Sequence, residues 1–137
     1  MSLKNSTPHT CPAWMARAFA ATGGAGVALG AFGAHALKDI RSAQHIETWK
    51  TATLYLLVHA AVGLCLTLTS QSSQINQEKS LVIPVLGLQL LLFGSVIFAG
   101  ALYLLVLIQL SPLGAVAPVG GLMMIAGWLV LATRLRT

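Results

Sequence analysis

The chain has 137 residues, of which 56% are hydrophobic and only 8% are charged, whereas a soluble domain typically carries roughly 25% charged residues. This composition excludes a disordered protein and an ordinary soluble domain. The formal net charge of +5 comes from basic residues that stand singly along the chain, so we expect contact with the lipid bilayer and no nucleic-acid binding.

Charge-free stretches dominate the chain. Since about 20 apolar residues cover the ~30 Å hydrocarbon layer as a helix, they predict an all-α integral membrane protein, a four-helix bundle with short loops. We expect a flexible N-terminal tail over 1–13 and a single membrane domain over 14–137. The four stretches are 18–37, 51–70, 81–110 and 113–133, and the spans that they predict are about 18–37, 49–69, 83–107 and 113–133.

Four glycines of the first span, Gly23, Gly26, Gly30 and Gly33, recur at intervals of three or four residues. At 100° per residue they fall within about 80° of one another on one helical face. Small residues at this spacing let two helix backbones approach closely. The pattern therefore predicts a helix-packing stripe, with a ligand channel as the alternative.

The connection over residues 38–50 is the most charged part of the chain, and its apolar residues recur every third position. This pattern predicts a short helix at the membrane interface before the second span. We expect that span to end in an exposed loop over Ser70–Gln77.

Prolines mark the last two spans. Pro84 suits the first turn of the third helix, and Ser111 followed by Pro112 predicts the start of the fourth. Pro118, followed by Gly120 and Gly121, predicts a kink within the fourth helix, with a gating hinge as the alternative.

Four spans bring both termini to one side of the membrane. The terminal side would carry five basic residues and the opposite side three, which favours cytoplasmic termini. The two sets are Lys4, Arg17, Lys79, Arg134 and Arg136 against Lys38, Arg41 and Lys50.

Two histidines are the main polar groups within the predicted spans. His35 lies near the end of the first span, where its ring can reach water or lipid headgroups. His59 lies about 12 Å deep in the second, within about 60° of Ala52 and Tyr55 on the helical wheel. We expect an interhelical hydrogen bond from His59, with a ligand, quinone or proton site as the alternative.

The same two histidines are poorly placed for a shared haem or metal, because their predicted depths differ by roughly 9 Å. The sequence contains no metalloprotease motif and no phosphate-binding loop, and Asp39, Glu47 and Glu78 fall in predicted loops. We therefore expect no catalytic residues, metal or cofactor, and a protein that is not an enzyme.

The sequence contains two linked motifs. Their residues are Gly30, Phe32, Gly33, His35, Leu37 and Lys38 in the first motif, and Trp49, Ala52, Tyr55 and His59 in the second. The motifs resemble the signature of the domain of unknown function 423 family, which includes transmembrane protein 256-like small membrane proteins. Only Ala36, where the family commonly has glycine, and the longer polar tail depart from the pattern. The resemblance implies a multi-pass, four-helix protein, in bacteria of the inner membrane, with no established activity.

Three functional hypotheses follow. The first is a non-enzymatic packing or interaction partner in the bilayer, acting on another membrane protein or as a homo-oligomer. The second is a small carrier or binding protein for a hydrophobic or cationic molecule, with Tyr55 and His59 in a pocket near Pro118. The third is a haem- or quinone-linked redox component that uses His35 and His59.

Overall fold

The structure is a computed structural model that describes residues 11–75 and 83–134. These residues form four α-helices and a short 3₁₀ segment, without a β-strand among them, which confirms the predicted all-α fold. The helices are α1 (Ala13–His35), α2 (Ala43–Ile75), α3 (Val85–Ile108) and α4 (Ala117–Arg134), and the 3₁₀ segment is Ser111–Ala115.

Consecutive helices run antiparallel and pack side by side, α1 on α2, α2 on α3 and α3 on α4. We call the end with the 36–42 and 109–116 connections the loop end, and the other the terminal end. A hydrophobic cluster around Leu37, Trp49 and Val106 fills the loop end. A second cluster, which includes Phe19 and Leu131, fills the terminal end.

Within the described residues, three segments are long and apolar enough to cross a membrane: Ala43–Ser72, Val85–Ile108 and Pro112–Thr133. α1 is not among them. Its 23 residues would extend about 34 Å, but they are not apolar enough along that length to meet the requirement for a span. Membrane location therefore rests on α2, α3 and α4, and the predicted first span over 18–37 remains a prediction.

The second helix differs from its prediction at both ends. The expected interfacial helix and the second span form one continuous helix of 33 residues. Ser42 caps its start, where the His45 backbone N–H donates to Ser42 Oγ at 3.3 Å. The loop predicted over Ser70–Gln77 is wrong as far as Ile75, because the helix continues to that residue and Ser70 is buried; residues 76–77 lie outside the described part.

The predicted kink at Pro118 is also wrong. The 3₁₀ segment occupies the predicted start of the fourth helix, and α4 begins only at Ala117. Pro118 therefore lies in the first helical turn, where a missing N–H costs no intrahelical hydrogen bond. The third helix lies within two residues of its prediction, with Pro84 directly before it.

The first helix begins five residues before the predicted span, at Ala13. Cys11, expected in the flexible tail, is buried beside Met15 and Phe19, and Gln71 Nε2 donates to its carbonyl oxygen at 3.5 Å. Residues 11–13 therefore belong to the folded part, while the tail prediction for residues 1–10 lies outside the described residues.

Candidate functional site

The glycine stripe of α1 faces α2. A Cβ added to Gly23 would lie 3.7 Å from Ala60 Cβ, and one added to Gly26 would lie 2.8 Å from Leu57 Cδ2. These contacts run antiparallel along the two helices, and small residues on α1 accept larger side chains of α2. The stripe is therefore occupied within the chain itself.

Trp49 enters α1 at the position that Gly33 leaves open. A Cβ on Gly33 would overlap Cδ1 and Nε1 of the indole. The indole N–H donates to the Leu29 carbonyl oxygen at 2.8 Å, and its ring lies 5.7 Å from that of Phe32. Trp49 is 2% exposed, so it anchors α2 to α1 through both shape and a hydrogen bond.

A hydroxyl pair joins α2 to α3 one turn deeper. Thr53 Oγ1 donates to the Trp49 carbonyl oxygen at 3.0 Å and lies 2.9 Å from the Tyr103 hydroxyl. Because the single Thr53 proton is already used, Tyr103 is the donor in the second bond. Tyr103 also contacts Trp49, with ring centroids 4.4 Å apart, and Ala52 is fully buried in the same cluster.

His59 bridges α2 and α4. Its Nδ1 lies 2.7 Å from the Tyr55 carbonyl oxygen, which can only accept, so Nδ1 carries the proton. Its Nε2 accepts from Trp128 Nε1 at 3.2 Å. The ring is neutral, with both nitrogens occupied, so it has no free lone pair for iron or another metal.

Tyr55 lies beside His59, as their shared helical face predicts, and its backbone carbonyl oxygen accepts the hydrogen bond from His59. The Tyr55 ring stacks on His59 with centroids 6.0 Å apart and contacts Phe98 of α3 at 4.9 Å. It is 43% exposed. Tyr55 therefore lies at the edge of an aromatic cluster that joins α2, α3 and α4.

The pocket expected near Pro118 does not form around these residues. Trp128, the partner of His59, lies ten residues further along α4 than Pro118, which is about 15 Å at helical rise. The space beside His59 is a shallow groove of about 270 Å³ lined by Leu54, Tyr55 and Val58. His59 therefore contacts α4 at Trp128, in the middle of that helix, and not at Pro118 near its start.

His35 and Lys38 are exposed at the loop end. Gly23 lies opposite Ala60, so His35, twelve residues beyond Gly23 on α1, is roughly 17 Å from the level of His59. This distance excludes a shared haem or metal between the two histidines. Among the described residues, no three His, Cys, Asp or Glu side chains are grouped to hold a metal ion.

A groove opens between α1 and α2 at the loop end, which we call the loop-end groove. It has a volume of about 280 Å³. Gly30, Gly33 and Ala34 form its α1 wall. The α2 wall comprises Ile46, Trp49, Lys50, Thr53, Leu54 and Leu57.

At the loop end, a hydrogen bond from the connection before α2 fixes the last turn of α3. Arg41, in the connection before α2, donates from Nη2 to the Leu107 carbonyl oxygen at 2.8 Å. A cation at a helix C-terminus also complements the helix dipole. Lys50 instead forms an exposed ion pair with Glu47 at 2.7 Å, so its ammonium remains at the surface.

Two features escaped the sequence analysis. Trp128 was not recognised as a partner of His59, because nothing in the sequence links positions 69 residues apart. The second is a glycine contact between α3 and α4, where a Cβ on Gly120 would lie 2.5 Å from Phe98 N and one on Gly94 2.9 Å from the Gly120 carbonyl oxygen. The seven-residue spacing from Gly87 to Gly94 and from Gly120 to Gly127 was the available signal.

Comparison with known proteins finds relatives among bacterial membrane proteins. A UPF0382 membrane protein of Staphylococcus saprophyticus is 40% identical over 105 residues, covering 77% of this chain and 82% of the relative. One of Staphylococcus epidermidis is 43% identical over 105 residues, covering 77% and 80%. One of Staphylococcus aureus is 37% identical over 111 residues, covering 77% of this chain and 80% of the relative.

No solved structure matches the chain. The model of the family described as "Protein of unknown function (DUF423)" matches residues 29–121. That range contains both motifs, Trp49 and its hydroxyl pair, and His59, and it ends before Trp128. The chain therefore belongs to the DUF423 family of membrane proteins, whose function is unknown.

Proposed function

We propose that the protein is a non-enzymatic interaction partner in the bilayer, and that it meets another transmembrane helix through the outer face of α1. We define this face by Ala21, Gly24, Ala28 and Ala31, all of which are exposed. They fall within about 80° of one another and point nearly opposite to the glycine stripe. A Cβ added to Gly24 would meet nothing within 4 Å, so the face is open.

The observation that carries the proposal is that small residues occupy the centre of the exposed side of α1. The larger exposed side chains of this helix, Trp14, Val27 and Phe32, flank them on the helical wheel. The exposed side of α3 carries Leu86, Phe93 and Leu104, and that of α4 carries Leu122 and Leu129. Large apolar side chains suit contact with lipid. Small residues instead suit close approach of a second helix, which in a membrane is driven by van der Waals packing.

The polar groups at membrane depth support a role without catalysis. His59, Thr53 and Tyr103 are hydrogen-bonded to other groups of the chain. Buried polar groups that satisfy one another in this way hold helices together. A nucleophile or general base would instead need an unpaired lone pair directed at a substrate.

Two glycines with open surroundings allow a matched test. Leucine replaces Gly24 on the outer face of α1 in one variant and Gly121 on α4 in the other; a Cβ at either position meets nothing within 4 Å. We expect Gly24→Leu to reduce crosslinked and co-purified partner in native membranes, because its side chain separates the two helices. Gly121→Leu should leave the association unchanged.

The readout is chemical crosslinking followed by affinity purification, which separates a second copy of the chain from a different protein. Expression and helicity of both variants serve as the folding control. Equal association of the two variants would contradict the use of the outer face. A wild-type chain that is monomeric and without partner in native membranes would overturn the proposal itself.

We further propose the bacterial inner membrane as the location, with both termini cytoplasmic. The support is the excess of basic residues on the terminal side, together with the bacterial membrane proteins among its relatives. A C-terminal alkaline phosphatase fusion, which is active only outside the cytoplasm, should be inactive, while a fusion after Lys38 should be active. The reverse pattern would contradict the orientation.

A further inference from the structure

The loop-end groove is apolar throughout its depth. Its polar lining groups are satisfied within the chain, since the Trp49 indole N–H bonds the Leu29 carbonyl oxygen and Thr53 bonds both Trp49 and Tyr103. A polar molecule would therefore lose its hydrogen bonds to water and gain none in the groove. Hydrocarbon is the occupant that the lining suits.

One charged side chain, Lys50, lines the groove. It is the last charged residue before the charge-free stretch 51–70, so it lies where α2 passes from the interface into the hydrocarbon layer. Its side chain is 66% exposed, and the ammonium remains accessible beside its partner Glu47. The groove thus combines an apolar interior with a cation at the depth of lipid headgroups.

We propose that the loop-end groove binds an anionic glycerophospholipid, with one acyl chain between α1 and α2 and the phosphate at Lys50. Ala34 is exposed and presents only a methyl group to the groove, which leaves room for the acyl chain between the two helices. The charge complementarity at Lys50 favours an anionic headgroup over a zwitterionic one. The proposal is independent of the helix contact proposed above, since the groove contains none of the four residues of the α1 outer face.

The test is native mass spectrometry of the purified full chain, released from detergent that contains equal amounts of phosphatidylglycerol and phosphatidylcholine with the same acyl chains. We expect one phosphatidylglycerol to be retained in preference, by about fivefold, as one lysine near a membrane surface provides. Equal retention of the two lipids by the wild-type chain would overturn the proposal.

Variants then locate the site. Ala34→Leu fills the groove from an exposed position and should abolish retention. Lys50→Gln should remove the preference for phosphatidylglycerol, whereas Lys38→Gln removes an exposed cation of the same end that does not line the groove and should leave it unchanged. Glu47→Gln should increase the preference, because it removes the carboxylate that competes for Lys50.

An equal effect of Lys38→Gln and Lys50→Gln would indicate general surface charge and overturn the site. Retention of phosphatidylglycerol by Ala34→Leu at the wild-type level would also overturn the site. Gly24→Leu separates the two proposals, since it should weaken helix association and leave lipid retention intact. Ala34→Leu should do the opposite, and its far-UV circular dichroism checks that it folds.

Discussion

Replacing Gly33 by alanine tests the contact that joins the two motif-bearing helices. The added Cβ would overlap the Trp49 indole, and Trp49 is fully buried between α1 and Tyr103 of α3. The indole must therefore move, and its hydrogen bond to the Leu29 carbonyl oxygen, 2.8 Å long, must lengthen or break.

The expected cost has two parts. Overpacking of a filled interior costs about 1–3 kcal/mol, and a lost interhelical hydrogen bond in a membrane costs about 0.6 kcal/mol, with ~1.7 as a maximum. Gly24→Ala is the matched control on the same helix, because a Cβ at Gly24 meets nothing within 4 Å. Both variants share the gain of about 0.5–1 kcal/mol that alanine has over glycine in a helix, so it cancels in the comparison.

Gly33→Ala should therefore have a free energy of unfolding about 2–4 kcal/mol below that of Gly24→Ala. The measurement is reversible unfolding by sodium dodecyl sulfate in mixed micelles, followed by far-UV circular dichroism. The tryptophan fluorescence, to which Trp14 and Trp128 also contribute, should shift in Gly33→Ala and not in Gly24→Ala, because only the first displaces the Trp49 indole. Equal unfolding free energies for the two variants would refute the intimate contact between Gly33 and Trp49.

Two further predictions use the same unfolding assay. Gly120→Ala should destabilise the protein by about 1–3 kcal/mol, because its Cβ would lie 2.5 Å from the Phe98 backbone nitrogen, whereas Gly121→Ala should be neutral or stabilising; equal effects would contradict the close approach of α3 and α4. Trp128→Phe and His59→Ala should show a coupling free energy of about 0.6 kcal/mol in a double-mutant cycle, since they share one hydrogen bond; additive effects would contradict that bond.

The helices were predictable because apolar length and charge determine what can enter a membrane. The ends of the helices were less predictable, because the charged residues that limit a membrane span do not end a helix. α2 continues from Ala43 to Ile75 because a helix does not have to end where the hydrocarbon layer does. Its sequence offers only Gly63 and no proline to interrupt it.

The glycine stripe shows how much of the candidate site could be predicted from the sequence. Its spacing indicated close helix approach, and the spacing is a local property of one helix. Which helix would fill it depended on Trp49 and Thr53, whose positions against Gly33 and Gly30 follow only from the antiparallel register of α2. The hydrogen bond between Trp128 and His59 could not be predicted from the sequence either, because it joins two helices that are not consecutive in the chain.

Helix packing explains the positions of some motif residues but not of others. Gly33, Trp49 and Ala52 are buried where helices meet, so the fold alone accounts for them. His35 and Lys38 are exposed at the loop end, where burial gives them no stabilising role. Their exposed polar side chains are available for contact with another molecule. The loop end, which also holds the groove beside Lys50, is therefore where an activity of this protein should be sought.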